Sequence, residues 1–330
     1  MTELTAGGNY FANPYPDLTL FSSGCVLLDC VLGGGYPLGR IVNLVGDKST
    51  GKTLLAIEAA ANFHSVFPDG KIYYNEVESA FDRGYAAALG MPVDAVDFTE
   101  DCFTVENFHD HLTETLVSLA PDQKALYILD SLDALSDKAE LERGISDGSY
   151  GAAKAKKTSE MFRRLVQRLE DRLVCLIIIS QVRDNIGVTF GKTTTRSGGR
   201  ALDFYASQVL WLSQVGKIEK QSKGVKRVVG VKVRAKCEKN KIGLPYRTCD
   251  FPIRFGYGVD NEEASLTWLE SINSLGDLGG DEIKNVQRFL KSLEGMDEQQ
   301  YRTTVSKISE LVREKWSDIE EGFLPTRAKY

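Results

Sequence analysis

The stretch RIVNLVGDKSTGKTLLAIEAAANFHSVF, residues 40–67, decides the fold. Arg40 to Val45 is an apolar run of strand character. Gly46 to Thr53 then fits G-x-x-x-x-G-K-[ST], and a helical pattern starts at Lys52. A strand before the loop and a helix after it are the context this motif needs. Its residues, Gly46, Asp47, Lys48, Ser49, Thr50, Gly51, Lys52 and Thr53, are predicted to cradle phosphates. Glycines let the backbone wrap closely, so N–H groups point inward at phosphate oxygens, and the helix adds the positive end of its dipole. Lys52 would reach the β- and γ-phosphates, and the Thr53 hydroxyl would hold Mg²⁺.

The alternation continues along the chain. Lys71 to Glu76, Ala125 to Asp130, Leu173 to Ile179 and Gln208 to Ser213 read as further apolar strands. Helical patterns lie between them, at 106–119 and 152–172. Apolar strands alternating with helices predict an α/β fold, a mostly parallel twisted sheet covered on both faces. After Ser213 the pattern changes. KRVVGVKVRAKCEKNK (226–241) and YRTCDFPIRF (246–255) alternate polar and apolar, as an antiparallel hairpin at a sheet edge does. Two short acidic helical stretches, 281–293 and 298–319, form a small C-terminal appendage. Residues 1–22 are polar and aromatic, with no helical period.

Bulk composition narrows the classes. Of 330 residues, 42% are hydrophobic, enough for a large core. The net charge of −6 gives no global sign of nucleic acid, although a local basic patch fits inside an acidic total. The six cysteines are scattered without a Cys-x-x-Cys pair, which argues against zinc and against a disulfide framework. Cys175 falls inside an apolar strand and is expected in the core. No apolar run approaches a membrane span of about 20 residues. No signal peptide is recognised, so a reducing compartment is expected.

Chemistry-bearing residues gather at strand ends. Asp130 and Ser131 end the third strand, where a carboxylate serves Mg²⁺ through a water. Glu76 and Glu78 follow the second strand, and either can orient a water for in-line attack on a γ-phosphate. His64, His109 and His111 show no metal-binding spacing. Trp211, Trp268 and Trp316 are expected to be core or docking residues.

Together these residues resemble the RecA recombinases, the bacterial and phage branch in particular, from about Phe21 to Val259. SSGCVLLDCVLGGGYPLGRIVNLVG (22–46) is similar to the family's entry into its phosphate loop. NEVESAFDRGYAAALG (75–90) resembles the segment with the catalytic glutamate. The resemblance selects Glu78 over Glu76, places Asp82 near the base and stacks Tyr85 on adenine. YILDSLDAL (127–135) resembles the metal-side strand. AELERGISDGSYGAAKAKKTSEMFRRL (139–165) resembles the first DNA loop, with Tyr150 as a wedge and Gly151 beside it. IIISQVRDNIGVTFGKTTTRSGGRALDFYAS (177–207) resembles the second, with Gln181 as γ-phosphate sensor at its root. EKNKIGLP (238–245) resembles the segment whose lysines, here Lys239 and Lys241, reach a neighbour's ATP across a filament interface.

Within the second loop the chemistry suits a sequence-independent grip. Arg183, Lys192, Thr195, Arg196, Ser197, Gly198, Gly199 and Arg200 supply cations, hydroxyls and backbone N–H groups for phosphates. Tyr150, Ile186 and Phe190 supply wedges between bases. The resemblance implies three parts. They are an N-terminal extended segment at 1–22, an ATPase core with two DNA loops at 23–264 and a small helical domain at 265–330. It further implies a DNA-dependent ATPase using ATP and Mg²⁺ in the cytoplasm. That protein would filament on single-stranded DNA and exchange strands with homologous duplex DNA, without a membrane partner. An accessory DNA-binding ATPase without strand exchange is the alternative, with a hexameric helicase behind it.

The chain also departs from the pattern. Lys48 stands where the family has an acidic residue, and the C-terminus reads PTRAKY instead of an acidic tail. About twenty residues precede the match, so a short aromatic segment such as Tyr10–Phe11 is expected to dock on a neighbour in place of a helix. A compact chain with this signature resembles phage-encoded members, for which the host cytoplasm is the expected place.

Overall fold

A computed structural model describes residues 18–99, 101–142, 151–184, 194–196, 199–279 and 285–327. In chain order its elements are β1 (Leu20–Phe21), α1 (Val26–Leu32), β2 (Tyr36–Pro37), β3 (Ile41–Gly46), α2 (Lys52–Val66), β4 (Lys71–Glu76) and α3 (Arg83–Ala88). Then come β5 (Val96–Thr99), α4 (Val105–Ser118), β6 (Ala125–Asp130), α5 (Lys138–Glu142), α6 (Gly151–Asp171), β7 (Val174–Asp184), β8 (Thr194–Arg196) and α7 (Gly199–Tyr205). The rest are β9 (Gln208–Ser222), β10 (Val225–Asn240), β11 (Arg247–Arg254), β12 (Gly258–Val259), α8 (Asn261–Ser271), α9 (Val286–Leu293) and α10 (Glu298–Gly322).

The main sheet has the order β12-β11-β10-β9-β3-β7-β6-β4-β5, with β8 paired to β7 off this path. From β9 to β5 neighbouring strands run parallel, and from β9 to β12 they run antiparallel. The expected parallel sheet with an antiparallel edge is what the chain forms. Alternate residues of each central strand enter opposite cores. Val42, Leu44, Ile72, Tyr74, Leu126, Ile128, Cys175 and Ile177 face α1, α2 and α8. Ile41, Val45, Tyr127, Leu129, Leu176 and Ile178 face α4 and α6. The α6 seam is Met161, Phe162, Leu165 and Leu169, a helical spacing that buries one stripe. Cys175 is fully buried, as expected.

Four elements differ from the sequence reading. Leu20 and Phe21, assigned to the extended segment, form β1 against β2, and Phe21 is buried against Phe63 and Tyr36. Strand β7 does not stop at Ile179 but continues to Asp184, because Val182–Asp184 pair with β8. Strand β9 runs past Ser213 to Ser222, because β10 pairs with it along nearly its whole length. Helix α9 starts at Val286, where Asn285 accepts a hydrogen bond from Arg288 N at 3.2 Å. The boundary drawn between 264 and 265 falls inside α8. Val286, Ile308 and Val312 of the last helices join the core around α1, and Trp268 packs against Trp316 with ring centroids 5.8 Å apart and planes tilted by 36°.

Candidate nucleotide site

The site lies where β3, β4 and β6 end, beside Gln181 of β7, which is level with Gly46. Parallel strands send their carboxyl ends to one edge, and residues leaving them converge there. The phosphate loop closes as the motif requires. Gly51 has φ 88°, a left-handed conformation, and a Cβ there would meet Ile253 Cδ1 at 2.5 Å. A Cβ on Gly46 would meet Thr50 Oγ1 at 2.5 Å. Thr50 Oγ1 and Lys52 Nζ donate to the Asp47 carbonyl at 2.8 and 2.7 Å. Lys48 N donates to Asp47 Oδ1 at 2.7 Å, and Lys48 and Ser49 are exposed. Lys52 is 8% exposed, and burial pulls its ammonium below the usual lysine range against the attraction of Asp130 and Glu78.

Two side chains meet the carboxylate of Asp130. Thr53 Oγ1 donates to Asp130 Oδ2 at 2.8 Å, and Tyr74 Oη donates to the same oxygen at 2.9 Å. Burial raises the Asp130 carboxyl above its ordinary value despite these donors. A hydroxyl beside a desolvated carboxylate is a hard-oxygen set that suits Mg²⁺, whose remaining positions water and phosphate can fill. Glycines that leave no room for a Cβ, the lysine and these oxygens therefore fit a Mg²⁺–nucleotide.

The two glutamates separate clearly. Glu76 ends β4 and accepts from Ala80 N at 3.1 Å, so it closes its own turn. Glu78 accepts from Ser131 Oγ at 2.5 Å and from Gln181 Nε2 at 2.8 Å. Gln181 is also fixed through its backbone, since its N–H donates to Asp133 Oδ2 at 2.7 Å. Tyr74 and Asp133 are partners the sequence reading missed. Tyr74 looked like a core aromatic in KIYYNE, and Asp133 stood unmarked in YILDSLDAL. Asp82 caps α3 by accepting from Tyr85 N at 3.0 Å, and Tyr85 is 38% exposed.

The family model described as the RecA N-terminal domain matches residues 11–260. The chain is 33% identical to Protein RecA of Syntrophobacter fumaroxidans over 290 residues, covering 83% of this chain and 80% of that protein. It is 35% identical to Protein RecA of Lactococcus lactis over 246 residues and 34% identical to that of Chlamydia trachomatis over 247. Those two alignments cover 74% of this chain but 62% and 67% of the relatives. The chain belongs to the RecA family.

The family's other motif positions do not share this edge throughout: Lys239 and Asn240 pair with Val209 and Gln208, level with Asn43 and Val42 toward the amino ends of the parallel strands. Lys239 Nζ donates to the carbonyls of Asp203 and Phe204 at 2.5 and 2.8 Å, closing the end of α7. Asn240 Oδ1 accepts from Ile242 N and Gly243 N at 2.9 and 3.0 Å, which fixes the turn between the lysines. Lys241 is exposed. Gly151 begins α6, Arg183 lies in β7, Thr195 and Arg196 in β8, and Gly199 and Arg200 in α7. Strand and helix thus occupy part of the stretch read as a loop. Tyr150, Ile186, Phe190, Lys192, Ser197 and Gly198 lie outside the described residues, as do Tyr10 and Phe11. Among the described residues no helix is long and apolar enough to cross a membrane.

Proposed function

We propose that this RecA-family chain is a DNA-dependent ATPase that assembles on single-stranded DNA and exchanges strands with a homologous duplex. The observation that carries the reading is Glu78 held by Ser131 and Gln181 beside the phosphate loop. One residue pair then joins the hydrolytic end of the site to β7, the strand that leads into the second DNA loop.

The parts have distinct tasks. Residues Gly46 to Thr53 hold the phosphates of ATP, with Lys52 along the β- and γ-groups. Thr53, with Asp130 through water, holds Mg²⁺, which neutralises phosphate charge when bound. Asp82 and Tyr85 flank the base. Glu78 accepts a hydrogen bond from the attacking water, so the γ-phosphoryl passes to water and ADP leaves. Gln181 exchanges its bond to Glu78 for a γ-phosphate oxygen, and β7 transmits the change to residues 182–200. Lys239 and Lys241 act on a neighbour's nucleotide, which makes hydrolysis depend on assembly. Tyr150, Gly151, Arg183 and the loop residues of the second segment contact DNA.

Negative-stain imaging tests the assembly. With a slowly hydrolysed ATP analogue and single-stranded DNA, helical filaments are expected, and they should be absent for Lys52→Ala. Closed rings or lone protomers under those conditions would contradict the reading.

A further inference from the structure

The turn at 131–135 carries the chain out of β6, and the mechanism above uses only its first residue, Ser131. Strand β6 pairs with β7 as far as Leu129 opposite Ile178 and ends at Asp130. Backbone groups alternate between the two edges of a strand, so Ile179 and Gln181 of β7 both face the side that β6 has left. The departing chain still supplies their partners. Leu132 N donates to the Ile179 carbonyl at 3.0 Å, and Gln181 N donates to Asp133 Oδ2 at 2.7 Å. A side-chain carboxylate thus takes the donor that a longer β6 would have taken.

The turn is itself held from two sides. Ala134 N donates to the Ser131 carbonyl at 3.2 Å. Lys154 Nζ donates to the Asp133 carbonyl at 3.3 Å and to the Leu135 carbonyl. Lys154 stands in the first turn of α6, the helix that follows the segment read as the first DNA loop. At the other end of the turn, Ser131 Oγ holds Glu78 at 2.5 Å. One short turn therefore touches Glu78, the root of the second DNA segment and the helix behind the first. Asp133 is half-buried. Burial lowers the Lys52 ammonium, and the charge of Asp133 opposes that shift, after those of Asp130, Glu78 and Asp47. The Asp133 carboxylate is thus within electrostatic reach of the phosphate loop, and a charged acceptor is a stronger tether for an N–H than a neutral one.

We propose that Asp133 is the positioning residue for Gln181, and that Lys154 fixes the turn that carries it. The inference rests on the role given to Gln181 above and deepens it. For the Gln181 amide to move between Glu78 and a γ-phosphate oxygen, its backbone has to stay in place. Gln181 is the last residue of β7 that pairs with β3, and beyond it Val182–Asp184 pair with β8. The Asp133 bond therefore closes the main sheet at the point where the second DNA segment begins. With this bond the amide swings from a fixed root. Without it the Gln181 N–H loses its acceptor, and the root loosens. Asp133 acts through Gln181 and not on the phosphates.

The test uses the full chain with saturating single-stranded DNA and two readouts. These are steady-state ATP hydrolysis, resolved into kcat and KM, and amide hydrogen exchange over residues 179–184. Asp133→Ala should lower kcat at least about fivefold and leave the KM for ATP within about twofold, because the phosphate loop is untouched. Its exchange over 179–184 should quicken. Asp133→Asn keeps an acceptor oxygen for the Gln181 N–H, so it should return kcat to within about twofold of wild type and restore slow exchange. Lys154→Met keeps the apolar stem and loses the donor, so it should lower kcat by a smaller factor than Asp133→Ala. Wild-type kcat in Asp133→Ala would overturn the proposal. So would an Asp133→Asn chain as slow as Asp133→Ala, which would make the charge and not the tether responsible. A KM raised in step with the fall in kcat would move Asp133 into nucleotide binding and overturn it as well. Gln181→Ala separates the two levels. If it keeps full stimulation by DNA, the role given to Gln181 fails and the inference with it. If it loses stimulation while Asp133→Ala keeps it, the inference alone fails.

Discussion

Strands β3 and β9 lie side by side and parallel from Val42 to Gly46 and from Gln208 to Leu212, yet they end in opposite ways. Strand β3 is buried along its whole length and stops at Gly46, where the phosphate loop begins. Strand β9 starts buried and then continues for ten residues, nearly all exposed, into a basic two-stranded ribbon with β10. One strand is clamped between two cores, and its end can be held to a fixed geometry. The other leaves the sheet, and its alternate residues serve two solvent faces. Precision for phosphate chemistry therefore sits at the ends of buried parallel strands. The antiparallel edge offers reach and charge.

Changes on the two strands should separate accordingly. The largest effect is expected at the loop that ends β3. Lys52→Ala should lower ATP hydrolysis at least about 10³-fold, about 4 kcal/mol of transition-state stabilisation, in a steady-state phosphate-release assay. Leu44→Ala empties a fully buried position on β3 and should cost about 3 kcal/mol in urea unfolding. A loss under 1 kcal/mol would show that β3 is not clamped as described.

Glu58 on α2 gives a pH-dependent contrast. Its carboxyl is mostly buried, accepts from Val259 N at 2.8 Å, and is pushed up to about 7 by burial. A carboxyl raised in the folded state contributes stability that is fully present below about pH 4.5 and is lost as pH rises through 7. Between those limits the loss should reach at most about 3 kcal/mol. Glu58→Gln should remove that slope, as urea midpoints at pH 5 and pH 8 would reveal. An unchanged slope would show that Glu58 is not its source. The smallest effect belongs to the ribbon. Val225→Ala, at a position 53% exposed, should shift stability by less than about 0.5 kcal/mol.

Most of the fold was legible because it rests on local patterns. Buried parallel strands leave apolar runs, and the phosphate loop has a fixed spacing with its own flanks, so β3, β4, β6 and α2 stand where the text places them. Extensions depended on pairing with a second strand. Residues 182–184 became strand because Thr194–Arg196 pair with them, and β9 was lengthened by β10. The polar text of each extension does not by itself show that a partner strand covers its backbone. The same holds within the site. Glu78 and Gln181 could be picked out one by one from the family resemblance, but their mutual bond spans 103 residues. Tyr74 was hidden because an aromatic in an apolar strand reads as packing, while its hydroxyl reaches Asp130. Glu58 carried no motif at all, and its environment is made by the β12 turn some two hundred residues away.

The central claim is that the Glu78–Gln181 bond ties hydrolysis to the DNA loop. The most direct measurement is the rate of ATP hydrolysis by wild type and Gln181→Ala, each with and without single-stranded DNA. The account predicts at least about tenfold stimulation by DNA in the wild type and a DNA-independent basal rate in Gln181→Ala. Equal stimulation of both proteins would contradict it.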